Sequence, residues 1–137
     1  MKNSQAFEWP VIDMYTRQMA ITDGVLVDLM QPGFIGLVRQ AGIKFPVAMT
    51  AAAFQDYVEL TPKAKEAGND IKGRLWDVLW MLRTEILKSR GRNLSEILFQ
   101  FYCVTDRIKP SLCTLKSVVG PGDDGEPVIT IMKPEED

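Results

Sequence analysis

The segment 73–89, GRLWDVLWMLRTEILKS, constrains this chain more than any other stretch. It carries the longest sustained helical period, and it is apolar on two sides. Leu75, Val78, Leu79, Leu82 and Ile86 recur at spacings of three and four. Trp76, Trp80, Arg83 and Leu87 form a second stripe about 100° further round, as the helical repeat dictates. A surface helix needs one apolar face, so a helix with two is expected to lie between layers.

The flanking segments supply candidates for both layers. Phe7, Trp9, Val11 and Ile12 read as an extended arm packed on the body. Residues 14–22 read as a short helix with Asp13 as cap and Gly24 just beyond its end. The β-branched run 25–28 reads as a brief strand. A second helix carries Phe34, Leu37, Val38 and Ala41 and stops at Gly42, after which 43–49 is extended again. Thr50 caps a third helix over 51–58, and Thr61-Pro62 opens a turn or two of helix before Gly68. Asn69 or Asp70 then caps the central helix.

After residue 90 the period changes from helical to alternating. Ile97, Phe99, Phe101 and Cys103 fall on one face of a strand, and Leu98, Gln100, Tyr102 and Val104 on the other. Two further strands, 112–119 and 127–132, flank the polar loop GPGDDGE. Three successive strands with short links predict an antiparallel meander. The expected architecture is α+β, with N-terminal short helices and a long central helix packed on a C-terminal three-stranded antiparallel meander. One domain spanning 1–137 is expected, with 1–6 and 133–137 mobile.

Composition narrows the chemistry. The 137 residues contain no histidine, which removes the commonest general base and most zinc or iron sites. Two cysteines, Cys103 and Cys113, are too few for a structural zinc site or a disulfide framework. They read as reduced core thiols, with a cross-strand disulfide as the other reading. The net charge of −2 is uneven: 123–137 carries six acids against Lys133, a net −5, and leaves +3 on the rest. No apolar run approaches the roughly 18 residues of a membrane helix, and 1–13 lacks the pattern of a secretory signal. A soluble cytoplasmic protein is expected.

Several groups invite functional readings and also have bland ones. GPGDDGE lacks the strand-loop-helix setting of a phosphate cradle and the alternating oxygens of a calcium loop, so it reads as a hairpin turn. Asp13, Asp23 and Asp28 suggest a magnesium-type carboxylate group, or equally a cap, a turn residue and a strand end. Lys72, Arg74, Arg83, Lys88, Arg90 and Arg92 form a basic cluster that suits a phosphate backbone, or equally the helix dipole and a solvated face. Trp76 and Trp80 read as core anchors, and Trp9 as the better partner-binding aromatic.

The stretches ITDGVLVDL at 21–29, AGIKFPVAMT at 41–50, GRLWDVLWMLR at 73–83 and VVGPGDDGEPVITIMKPEED at 118–137 occur together. This combination resembles a family of small, functionally uncharacterised proteins carried by bacteriophages, plasmids and other mobile elements. The resemblance implies a single soluble domain in a bacterial cytoplasm and brings no catalytic residues. The expected function is a non-enzymatic protein-binding module that modulates or inhibits host machinery, such as restriction or CRISPR defence. The partner-binding residues are expected among Trp9, Asp23, Asp28, Lys88, Arg90 and Arg92, with no cofactor and no metal. The alternatives are a nucleic-acid-binding accessory protein using the basic cluster at 72–92, and a histidine-free magnesium enzyme.

Overall fold

A computed structural model describes residues 15–90, 94–104 and 109–137. The elements are α1 (Arg17–Thr22), β1 (Leu26–Asp28), α2 (Ile35–Gln40), β2 (Val47–Thr50), α3 (Ala51–Tyr57), α4 (Pro62–Glu66), α5 (Ile71–Lys88), β3 (Glu96–Cys103), β4 (Ser111–Pro121) and β5 (Pro127–Met132). Polar side chains start most of the helices where local chemistry demands. Thr50 accepts from the N–H of Ala53, Thr61 from Ala64, and Asp70 from Gly73 at 2.6 Å, each closing a first turn. Thr16 does the same for α1 through Met19, so that helix starts later than the sequence suggests. Asp13, the expected cap, lies outside the described residues. Gly42 ends α2 at φ +78°, a conformation that glycine adopts without strain.

The sheet is larger than the expected meander. It has five strands in the order β1-β2-β5-β4-β3. β3, β4 and β5 do form an antiparallel meander, with Phe99 opposite Leu115 and Val118 opposite Thr130. β2 adds to it in parallel with β5, and β1 pairs antiparallel with β2. The three-stranded expectation fails because β5 is an internal strand. Val128, Ile129, Ile131 and Met132 are buried on both of its faces, which an edge strand would not allow.

One face of the sheet carries the core. Met49, Phe99, Phe101, Leu115, Ile129 and Ile131 point into it from the strands. Val38 of α2, Ala53 and Phe54 of α3, and Leu75, Val78, Leu79 and Leu82 of α5 close over them. Burial of these apolar side chains, at roughly 1.5–3 kcal/mol each, is the main force assembling the layers. α1 lies on the opposite face. Strand alternation turns Thr130 away from the core, and there Arg17 Nη1 donates to Thr130 Oγ1 at 2.7 Å.

α5 is therefore not a partition with a layer on each side. Its first stripe is buried, but the second opens to solvent, with Trp80 42% and Leu87 43% exposed. Of the N-terminal helices expected to cover that stripe, α1 sits across the sheet instead. The 133–137 end, read from the sequence as mobile, hydrogen-bonds to the body. Glu136 Oε1 accepts from Thr50 Oγ1 at 2.8 Å, and Lys133 pairs with Asp56 at 2.7 Å.

Candidate functional site

The exposed stripe of α5 carries a run of aromatic and cationic contacts. Trp76 packs partly against the core, and its ring stacks on Trp80 with centroids 5.6 Å apart and planes at 26°. Three residues further on, the Arg83 guanidinium lies over the Trp80 ring, 4.7 Å from its centroid. Spacings of four and three along a helix produce this ladder, since they return side chains to one face. Leu87 and Arg90 continue the stripe. Trp80 thus contacts Trp76 and Arg83 along the helix while remaining 42% exposed.

Positive charge surrounds the ladder. Arg83 Nε lies 3.6 Å from where a side chain on Gly42 would begin, which brings the end of α2 alongside. That turn carries the exposed Arg39 and Lys44, and the helix exit carries the exposed Lys88 and Arg90. Among the described residues none of these five cations forms a salt bridge.

The residues singled out from the sequence do not converge on one place. Asp23 follows α1 and accepts from the Tyr15 hydroxyl at 2.7 Å, which holds that phenol above its ordinary pKa. Asp28 Oδ1 accepts from the N–H of Met30 at 2.9 Å, closing a turn after β1. Its charge also acts on the half-buried Arg17, whose pKa burial lowers while Asp28, Asp123 and Glu126 oppose the shift. Lys88 and Arg90 stand at the far end of α5, next to the aromatic ladder. Trp9 and Arg92 lie outside the described residues, as does Asp13. No group of three or more potential metal-ligating side chains occurs among the described residues.

Two further features were hidden. Arg74, assigned from the sequence to a surface basic cluster, is only 4% exposed. Its Nε donates to the Tyr57 carbonyl at 2.9 Å, Nη1 to the Val104 carbonyl at 2.6 Å and Nη2 to Cys103 Sγ at 2.7 Å. The spacing of four from Arg74 to Val78 and Leu82 places it on the buried stripe, and that was the available signal. The charge raises a second question of compensation. Asp77 lies one turn away, and partial desolvation raises its pKa against the pull of Arg74.

The GPGDDGE loop is a hairpin turn as read, with Gly125 at φ +83°. It has a second role that spacing could not reveal. The Asp123 carboxylate accepts from the backbone N–H groups of Arg17 and Gln18 at 2.8 and 3.0 Å, capping α1 from the other end of the chain.

These features define a mixed α+β domain with a five-stranded sheet, one aromatic-cationic helix face and one buried arginine–thiol cluster. The chain belongs to the Family of unknown function (DUF6573), whose model matches residues 3–137. No curated protein and no solved structure matches it. Among the described residues no helix is long and apolar enough to cross a membrane.

Proposed function

We propose that this protein is a non-enzymatic binding module, and that it docks through the Trp76–Trp80–Arg83 face of α5 onto an acidic protein partner. The observation that carries the reading is the exposure of Trp80 inside a preformed stack. Tryptophan and arginine dominate binding hot spots, and a ring already immobilised loses little entropy on docking. The exposed part of Trp80 and the side chain of Leu87 suit an apolar groove. Arg39, Lys44, Arg83, Lys88 and Arg90 suit a rim of carboxylates around it, which would guide association and fix orientation.

The same residue types also serve single-stranded nucleic acid, so the two readings need separating. Base stacking requires an open aromatic face. Trp76 stacks on Trp80 and the Arg83 guanidinium lies over the same ring, so less of its aromatic surface is open. Arg74 is withdrawn into the core, which shortens the basic track expected along 72–92. Protein recognition is favoured on both counts. The mobile-element setting implied by the motif resemblance makes host machinery, including anti-restriction and anti-CRISPR targets, the first class of partner to examine.

The test places a photo-crosslinking residue at position 84, one turn beyond Trp80 on α5, and, separately, at Tyr102 on the other face of the sheet. A partner captured from 84 and not from 102 is purified and titrated. Trp80→Ala and Arg83→Glu should each weaken it about tenfold or more while the melting temperature stays near wild type. Binding of single-stranded DNA or RNA that falls steeply with salt and is lost in Trp80→Ala would replace this reading with the nucleic-acid one.

A further inference from the structure

The buried arginine hydrogen-bonds to Cys103, one of the two cysteines of the chain. On β3 and β4, Phe101 faces Cys113, and Cys103 faces Ser111. Phe101 and Cys103 both turn toward the core, so Cys113 does too, and the two thiols are diagonal neighbours across one strand pair. Register and shared face thus set the two side chains next to each other on the inward side of one strand pair. Both are free thiols.

Their surroundings differ in a way that assigns roles. Cys113 is half-buried and lines an open groove of about 640 Å³ with Asp56, Tyr57, Leu60 and Thr61. Cys103 is buried, receives the Arg74 N–H at 2.7 Å, and points its own S–H at the Tyr57 carbonyl, 3.5 Å away. Cys113 is the accessible, attacking thiol and Cys103, shielded beside a fixed cation, the resolving one; burial raises the pKa of both, so exchange runs through a small thiolate fraction that grows with pH.

We propose that Cys113 and Cys103 form a redox-active dithiol that low-molecular-weight disulfides oxidise to an intrachain cross-strand disulfide. Cys113, after giving its proton to solvent, attacks one sulfur of the incoming disulfide. A mixed disulfide forms at Cys113, and one small thiolate leaves and takes up a proton. Cys103 then attacks the Cys113 sulfur and releases the second small thiolate, which takes the proton that Cys103 gives up. The protein loses two electrons and two protons, and the oxidant becomes two thiols. Arg74 is the positioning residue, holding Cys103 Sγ and stabilising its negative charge during the second attack.

The experiment incubates the reduced, folded full-length chain with oxidised glutathione, then counts thiols and weighs the protein. Wild type should lose both thiols and two hydrogens in mass and retain no glutathione, and proteolysis should yield one linked pair of peptides containing Cys103 and Cys113. Cys103→Ser should stop at glutathione held on Cys113, and Cys113→Ser should keep its thiol about tenfold longer or more. Wild type that keeps both thiols in excess oxidised glutathione, or that accumulates only the glutathione adduct, overturns the proposal. The wild-type peptide linkage decides the matter even if a serine variant folds poorly.

Discussion

Asp123 accepts the backbone N–H of Arg17 at 2.8 Å, joining the β4–β5 hairpin to the first turn of α1 across 106 positions of sequence. The contact makes a polar turn part of the fold, because a six-residue helix has few hydrogen bonds of its own and depends on what caps it. Arg17 then runs onto the sheet, where Ile129 and Thr130 accept from it. The N-terminal helix is therefore held by polar contacts on a sheet face separate from the main core.

Replacing that carboxylate tests the link directly. Asp123→Ala should cost about 1 kcal/mol, the usual loss for an N-terminal cap, and Asp123→Asn should retain most of it. Asp124→Ala, one residue along, is the control and should change little. Chemical denaturation with unchanged slope would measure the three differences. Equal losses at 123 and 124 would refute the capping role.

Arg74 carries a larger share of stability. Arg74→Ala removes the donors to the Tyr57 and Val104 carbonyls and leaves a void beside Cys103. Carbonyls left with only the weak Cys103 S–H as donor, together with lost packing, predict a penalty of about 2–4 kcal/mol, partly offset by relief of the buried charge. Arg74→Lys keeps the charge but cannot fork toward three acceptors, so it should fall between. Urea midpoints for both variants give the comparison, and an Arg74→Ala protein as stable as wild type would contradict it.

Adjacent positions on α5 should respond oppositely. Leu79 is fully buried and Trp80 is 42% exposed. Leu79→Ala should cost about 2–5 kcal/mol, and Leu79→Asp should prevent folding by burying an unpaired charge. Trp80→Ala should cost only about 1 kcal/mol, chiefly the loss of the ring stack. Thermal melts would show the ordering, and a larger loss at 80 than at 79 would mean that the second stripe is buried after all.

That contrast shows how far the sequence could be read. Helix starts were visible because capping is local: Thr50, Thr61 and Asp70 each act on a residue three positions on. The face of β3 that packs inward was visible from strict alternation through Phe99, Phe101 and Cys103. The neighbours of a strand were not visible, since nothing near Val47 announces a pairing with Ile129. The same limit misplaced the second helix stripe. Tryptophan, arginine and leucine at helical spacing look alike whether a layer covers them or not. Asp28 accepts in a local turn and Asp23 from the Tyr15 hydroxyl, whereas the cations nearest the ladder include Arg39 and Lys44, which only the fold brings there.

Alkaline pH offers a last check on the arginine–thiol cluster. Burial pushes the Cys103 thiol from an ordinary 9.0 up to about 11, although the Arg74 charge pulls the other way. Cys113 is also raised by burial. In the unfolded chain these thiols ionise near 9.0, so between that value and about 11 the unfolded state loses protons that the native state keeps. Stability is then fully present below pH 9 and declines as pH rises toward 11, by at most about 1.4 kcal/mol per pH unit for one group. Other groups face the site, including Tyr57, whose phenol is likewise raised by burial, so the wild-type slope will exceed that of a single thiol. Comparing urea midpoints from pH 7 to 11 for wild type and Cys103→Ala isolates the cysteine's share. The variant should start less stable and lose less across the window. Parallel curves would mean that Cys103 ionises as freely in the native state as in the unfolded one, and that Arg74 cancels the effect of burial.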